Sequence, residues 1–410
     1  MINFIWIFMF LLAVASALAQ LFFYNNYDIF SQLTKAIFLN ASAAVEISIG
    51  LIGILSFWLG MLKIVERTGF AETISNKLTP LFKIIMKDIP DNSPAISCIV
   101  LNMAANFLGL DNAATPMGLK AMEELQKHNK KKDEASDAQI LFMILNSSSV
   151  TLIPITIFMY RSEMGAKYPT DVFIPILLAT TISTLFGFIS VAIKQKIDLK
   201  NNFILKLLLF LISITFCICI LFFSISYEKR LLISYNIGNL IIILLISYTL
   251  ILALRNKING YEAFIEGAKE GFSIAVKIIP YLVAMLVIIG VFRASGILDI
   301  LINVIRNIVD FTGLDSSFVG ALPTAFMKPL SGSGARAMMI ESMQTYGADS
   351  FIAFCSSVIQ GSTETTFYVL TVYFGAINIS KIRYALKYAL WADFAGILAA
   401  ILLSYMFYSN

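Results

Sequence analysis

The sequence contains few charged residues: 14% of its 410 residues are Asp, Glu, Lys or Arg, against about a quarter in soluble domains. It also has only one histidine and four cysteines, with no spacing that suits a zinc site or a disulfide framework. The net charge of +4 comes without a dense basic stripe, so we expect no nucleic-acid partner. This composition excludes a water-soluble globular protein.

Apolar residues make up 58% of the chain, and the mean hydropathy is +0.82. A bilayer core of about 30 Å requires about 20 apolar helical residues. We therefore expect an all-α polytopic membrane protein with about nine transmembrane helices, in contact with the lipid bilayer. The predicted spans are 2–23, 42–64, 137–160, 172–193, 203–223, 232–254, 271–292, 350–376 and 384–408.

Basic residues are unevenly distributed between alternate loops, which indicates the orientation of the chain. Lysine and arginine concentrate in 127–132, 194–200 and 255–257, and these loops are predicted to be cytoplasmic. The N-terminus then lies in the cytoplasm and the C-terminus outside. The first span lacks a basic segment before it, so we expect a retained helix rather than a signal peptide.

Two regions, 92–126 and 316–345, contain apolar stretches that are too short to cross a bilayer and are joined by polar, Gly/Pro-rich breaks. Unpaired backbone groups are costly in hydrocarbon, so such breaks must be buried in protein or line a watery cavity. We predict re-entrant helical hairpins. The alternative is a pair of interfacial loops with amphipathic flanks.

The two hairpin regions belong to a repeat, of about 42–160 and about 264–376. Each hairpin follows an apolar span that ends in a basic-small-Gly pattern, and each precedes a polar cluster within the next span. The first spans of the repeats are the second and seventh of the chain, so the repeats have opposite orientations. Hairpin 1 would open to the cytoplasm and hairpin 2 to the outside. Inverted repeats with interrupted helices are typical of secondary transporters.

Polar residues at the hairpin tips and in the polar clusters are the candidate substrate-binding residues. Their amides and hydroxyls both donate and accept hydrogen bonds, which suits a neutral or zwitterionic solute better than a polyanion. Ser and Thr in membrane helices also commonly bond their own backbone, so each has a structural alternative. The candidates are Asn106, Asp111, Asn112, Thr115, Asn146, Ser148, Ser149, Thr151, Ser331, Gly332, Ser333, Gly334, Gln360, Ser362, Thr363, Glu364 and Thr365.

Charged residues inside spans are costly unless paired, neutralised or functional. Glu364 is therefore the first candidate for coupling to Na⁺ or H⁺, and Glu46 is the second. Lys328 and Arg336 are candidate charge partners, and a purely structural pair with Glu364 is the alternative. We expect no cofactor and no metal centre. Without a histidine in the spans, or an HExxH or GxSxG motif, we expect no enzyme.

Three stretches carry a resemblance to known families. Residues 109–122, GLDNAATPMGLKAM, resemble the hallmark of spore maturation protein A. Residues 329–335, PLSGSGA, and 360–375, QGSTETTFYVLTVYFG, resemble spore maturation protein B. The resemblance implies a fused chain with an A-like half, 1–195, a linker with an extra transmembrane helix, 196–230, and a B-like half, 231–410.

The resemblance also implies a nucleoside-recognition "gate" domain in each half, similar to one in concentrative nucleoside transporters and ferrous iron transporter B. It implies location in a bacterial cytoplasmic membrane and, in spore formers, a link to dehydration of the spore core. The leading hypothesis is an ion-driven transporter of a small polar, nucleoside-like solute. The alternative is a non-transporting membrane protein that supports spore maturation or envelope assembly. The sequence leaves open whether the chain forms a homo-oligomer.

Overall fold

The computed structural model describes residues 2–86, 89–90, 93–107, 111–148 and 150–408. Within these residues the chain is helical, and no strand longer than an isolated bridge is found. The helices are α1 Ile2–Tyr24, α2 Ile29–Arg67, α3 Phe70–Ile85, α4 Pro94–Phe107, α5 Asp111–His128, α6 Asp137–Ser147, α7 Ile155–Glu163, α8 Phe173–Lys194, α9 Asn202–Phe223, α10 Tyr227–Arg255, α11 Gly260–Ala294, α12 Ile297–Phe311, α13 Leu322–Met327, α14 Gly332–Tyr346, α15 Phe351–Ser362, α16 Thr366–Ala376 and α17 Ala385–Tyr408, with a 3₁₀ turn at Ser317–Ala321.

In the described part of the chain, six helices are long and apolar enough to cross a membrane: α1, α2, α8, α9, α10 and α17. A seventh results if the end of α11 and α12, bent by 68°, form one broken span. The all-α membrane class is confirmed, but the count of nine spans is not. The predicted spans 137–160 and 350–376 are each two short helices, because their polar clusters interrupt the helix at 148, 150–154 and 363–365.

Both segments predicted as hairpins form two helices that pack on each other. In hairpin 1, α4 packs against α5, and the Ser93 hydroxyl lies 3.0 Å from His128 Nε2 at its base. In hairpin 2, α13 packs against α14. Residues 108–110, at the tip of hairpin 1, lie outside the described part.

The chain divides into two compact units, and each takes segments from both ends of the sequence. Unit 1 comprises Met1–Lys63, Met159–Lys167 and Asn259–Gln360. Unit 2 comprises Ile64–Phe158, Tyr168–Ile258 and Gly361–Asn410. Unit 1 contains hairpin 2 and most of α15, the half-helix that follows it. Unit 2 contains hairpin 1, the half-helix α6 that follows it, and α16.

The start of α6 is anchored within unit 2. The Ala135 N–H donates to Lys381 O (3.0 Å) and the Lys381 N–H to Asp133 O (3.0 Å). The Lys381 ammonium also donates to the Asp133 carboxylate (2.8 Å), and this hydrogen bond holds the pKa of that carboxyl below its usual value. Ser136 and Gln139 form a capping box on the first turn. These contacts fix the direction in which α6 enters the unit.

Helices α8 and α17 pack closely in unit 2 through small residues. The Ser183 hydroxyl donates to Ala392 O (2.9 Å). A Cβ on Gly187 would lie 3.0 Å from Ala392 Cβ, and one on Gly396 would lie 2.9 Å from Ser183 Cβ. Small residues let the two backbones approach, as is common between membrane helices.

We expect Gly396→Leu to destabilise unit 2 by more than about 2 kcal/mol, because the new side chain overpacks this contact. The measurement is thermal unfolding of the purified protein in detergent. Gly375→Leu is the matched control, since no atom of the described residues lies within 4 Å of a Cβ at that position. Equal shifts of the unfolding temperature for the two variants would contradict the packing argument.

Candidate functional site

A buried polar network joins hairpin 1 to two half-helices in unit 2. Asn146 Nδ2 donates to Asn102 Oδ1 (2.7 Å) and to the Tyr373 hydroxyl (3.2 Å). Asn102 Nδ2 donates to the same hydroxyl (3.2 Å), and Asn106 Nδ2 donates to Asn146 Oδ1 (3.1 Å). All four residues are buried. The network thus links α4, α6 and α16.

Helical spacing explains how the network forms. Asn102 and Asn106 stand four residues apart on α4, as do Phe142 and Asn146 on α6, so each pair shares a face. The Phe142 ring stacks on the Tyr373 ring at 5.8 Å between centroids. Gly118 of α5 directly faces the Tyr373 hydroxyl. A glycine is required there, because a side chain would enter the network.

The end of α6 and the start of α16 meet at the helix breaks. The Glu364 N–H donates to Ser147 O (2.8 Å), across the two interruptions. The Thr184 hydroxyl of α8 donates to the backbone oxygen of Ser148, which follows the last residue of α6. The end of a helix carries partial negative charge and the start partial positive charge. The two helix ends therefore offer opposite partial charges close together.

Buried hydroxyls with no hydrogen-bond partner lie at the start of α16. Thr363 and Thr366 are buried, and among the described residues neither Oγ1 finds a partner. Thr365, between them, is extended and does not cap the helix with its side chain. An unsatisfied buried polar group costs about 1–3 kcal/mol, so such groups in a native protein call for a ligand or water.

The predicted residues of hairpin 2 form a capped helix start in unit 1. Ser331 accepts from the Gly334 N–H (3.1 Å) as the N-cap of α14, and its hydroxyl lies 3.2 Å from that of Ser333. The Arg336 guanidinium stacks over the Tyr160 ring at 5.7 Å, and Lys328 is buried. The Ser-Gly-Ser-Gly pattern thus has a structural role, and ligand binding by Ser331, Gly332, Ser333 and Gly334 stays a prediction.

The other predicted residues fall in different places. Ser148, Ser362 and Thr365 are buried at or beside the breaks in unit 2, and Gln360 is buried near the end of α15 in unit 1. Glu46 is exposed on α2, where Ser42 donates to it (3.3 Å). Thr151 and Glu364 are half-buried. Ser149 and the side chains of Asp111, Asn112 and Thr115 lie outside the described part.

Tyr373 belongs to the network and Gly118 faces it, but neither was among the predicted site residues. Tyr373 follows Thr366 by seven residues, which places both on one face of α16. Gly118 lies four residues before Met122, which is fully buried on α5. This helical periodicity, applied downstream of each polar cluster, was the signal that could have found them.

Two hairpins, two interrupted helices and a buried polar network define a polytopic helical membrane protein, and the helix breaks are its candidate site. The chain belongs to the Gate family, whose description is nucleoside recognition, and the family model matches residues 48–167 and 275–380. Both hairpins and both breaks lie within these segments.

Two curated relatives carry the names expected from the motifs. The chain is 39% identical to spore maturation protein A of Bacillus subtilis over 183 residues, which cover 45% of this chain and 90% of that protein. It is 48% identical to spore maturation protein B of Bacillus subtilis over 147 residues, which cover 36% of this chain and 81% of that protein. The predicted resemblance is confirmed. No solved structure matches the chain.

Proposed function

We propose that the chain moves a small polar, nucleoside-like solute across the bacterial cytoplasmic membrane by alternating access, driven by a Na⁺ or H⁺ gradient. The observation that carries this proposal is the junction in unit 2 between the end of α6 and the start of α16. In the proposed orientation the N-terminus is cytoplasmic and the C-terminus external. We propose no enzymatic activity and no cofactor.

The junction offers the groups that a nucleoside would require. Helix breaks free backbone N–H and C=O groups at membrane depth, where these groups must be satisfied by protein, water or a ligand. The Thr363 and Thr366 hydroxyls can each donate and accept, and both are buried without a partner among the described residues. Sugar hydroxyls and base amides are matched by this set. The description of the family supports the same class of solute.

Coupling to an ion is proposed at Glu364. This carboxylate belongs to the break between α15 and α16, and its own N–H is fixed to Ser147 O. A half-buried acid at a helix break can take up a proton or a cation when the cavity opens. Backbone carbonyls at the end of α6 could complete the coordination of a cation.

We expect Thr366→Val to reduce uptake of the solute about tenfold, the loss of one hydrogen bond of about 1.4 kcal/mol. The measurement is uptake of a labelled nucleoside panel by proteoliposomes under Na⁺ and H⁺ gradients. Thr371→Val is the matched control on the same helix, because the Thr371 hydroxyl is exposed and donates to Phe367 O (2.8 Å). No gradient-driven uptake of any panel member, or equal loss in both variants, would contradict the proposal.

The names of the two relatives favour a second candidate, a non-transporting membrane protein that supports spore maturation or envelope assembly. This candidate requires no solute at the helix breaks. It is favoured if no nucleoside raises the unfolding temperature of the purified protein while deletion of the gene still impairs spore maturation.

A further inference from the structure

An arginine at the end of α11 is held between two carboxylates in unit 1. Arg293 Nη2 donates to Glu341 Oε2 (3.2 Å), and its Nε also contacts Glu341 Oε1. Arg293 Nη1 lies 3.2 Å from Asp299 Oδ1. Glu341 belongs to α14, the second arm of hairpin 2. A bidentate ion pair between Arg293 and Glu341 therefore connects the α14 arm of hairpin 2 to α11.

The two carboxylates differ in burial. The Glu341 side chain is 7% exposed, whereas that of Asp299 is 52% exposed. The Thr345 hydroxyl donates to Glu341 Oε1 (2.8 Å), and the Arg293 guanidinium stacks over the Tyr346 ring at 5.5 Å. In the described part of the chain, α13 and the 3₁₀ turn also pack against α14, and neither of these two elements contains a titratable residue. Among the described residues, Arg293 pairs directly with Glu341, and Asp299 is the second charged group that acts on it.

Arg293 lies just before the turn between α11 and α12, and contacts from α1 hold this turn, which we call the elbow. Gly296, with φ of 77°, turns the chain from α11 into α12, and the two helices differ in direction by 68°. On α1, the Ser16 hydroxyl and Gln20 Nε2 both donate to Ser295 O, at 2.9 and 2.8 Å. These contacts hold the elbow independently of hairpin 2. Release of the ion pair would consequently free α14 rather than move the elbow.

We propose that Glu341 is a proton-binding site, and that its protonation releases the α14 arm of hairpin 2 from the α11–α12 elbow. One proton from the solvent binds the carboxylate, and the ion pair with Arg293 is lost. Burial favours the neutral acid, while the guanidinium favours the carboxylate. Loss of one partner normally leaves a costly buried charge. Here Arg293 keeps Asp299 as a counter-ion, so the switch leaves no charge unpaired.

The inference goes beyond the proposed transport, since neither the proton site nor its effect requires a solute. Two substrate-free measurements on the full-length protein in liposomes test it. The first is infrared titration from alkaline to acidic pH, which distinguishes a protonated carboxyl from a carboxylate by its band. We expect a protonated-carboxyl band that appears as the pH falls and is absent from Glu341→Gln. In Asp299→Asn, where Arg293 has only Glu341 left, the band should appear at a lower pH.

The second measurement is the labelling rate of a single thiol introduced by Ser333→Cys at the start of α14, after replacement of Cys98, Cys217, Cys219 and Cys355 by serine. We expect the rate to rise about tenfold from high to low pH, the effect of about 1.4 kcal/mol on an opening equilibrium. Glu341→Gln should give the fast labelling rate at both pH values, because glutamine cannot form the ion pair with Arg293. Glutamine is similar in size to glutamate, so the packing around residue 341 is preserved.

Absence of a titrating band that depends on Glu341 would overturn the proton site. A band without a change in thiol labelling would overturn the release of α14. Both results are independent of nucleoside uptake, so failure of this inference is distinct from failure of the proposed transport.

Discussion

Replacement of Asn146 by alanine is expected to lower the free energy of unfolding by about 3 kcal/mol, because it removes three hydrogen bonds and leaves their partners buried. Asn102 Oδ1, Asn106 Nδ2 and the Tyr373 hydroxyl each lose a partner. The cost is large because all four residues of the network are buried, and a buried polar group without a partner is costly in a low-dielectric interior. Chemical unfolding of the purified protein in mild detergent measures it.

The same substitution should reduce solute uptake more than tenfold, since the network aligns α4, α6 and α16 at the breaks. Tyr373→Phe is the graded control, because it removes one hydroxyl and keeps the ring stacked on Phe142. We expect it to cost about half as much in unfolding free energy. An unfolding curve for Asn146→Ala that matches the unsubstituted protein would show that the network does not hold the fold together.

Replacement of Glu364 by glutamine is expected to abolish accumulation of solute against a gradient while exchange across the membrane continues. Glutamine keeps the size of the side chain and the N–H bond to Ser147 O, but it cannot take up a proton and carries no charge for a cation. The measurement compares gradient-driven uptake with exchange at equal concentrations in the same proteoliposomes. Accumulation should fall more than about tenfold, because the site loses one charge interaction in a desolvated environment.

Glu123→Gln is the control for this comparison of accumulation with exchange, since Glu123 is exposed on α5 of the same unit. Equal loss of accumulation and exchange in Glu364→Gln would indicate a role in folding or binding rather than in coupling. Unchanged accumulation would remove Glu364 from the mechanism.

The helical class and both hairpins could be predicted because they depend on apolar run length and on Gly/Pro breaks. The number of spans could not be predicted, because mean hydropathy is taken over a window of residues and does not detect a short break inside it. The residues on both sides of 148–154 and 363–365 are apolar, so each broken helix has the mean hydropathy of one span. The start of α2 was missed for the opposite reason, since residues 29–41 favour a helix without being apolar enough to span.

The candidate site was predicted in part for a physical reason. Asn106 and Asn146 lie in short polar clusters within apolar sequence, where a polar group is costly unless it is paired or functional. Tyr373 and Glu341 could not be chosen in the same way, because their partners are distant in sequence. Asn102 is 271 residues from Tyr373, and Arg293 is 48 residues from Glu341. Pairings of this kind depend on tertiary packing.

The most direct test of the inverted, alternating-access architecture is two-sided labelling of the hairpins. Single thiols are introduced by Met117→Cys in hairpin 1 and Ser333→Cys in hairpin 2, each in a background without native cysteines. A membrane-impermeant maleimide is then applied to right-side-out and inside-out vesicles. The account predicts labelling of the first position from the cytoplasmic face and of the second from the external face, with protection of both by the transported solute. Labelling of both positions from the same face, unaffected by any solute, would contradict it.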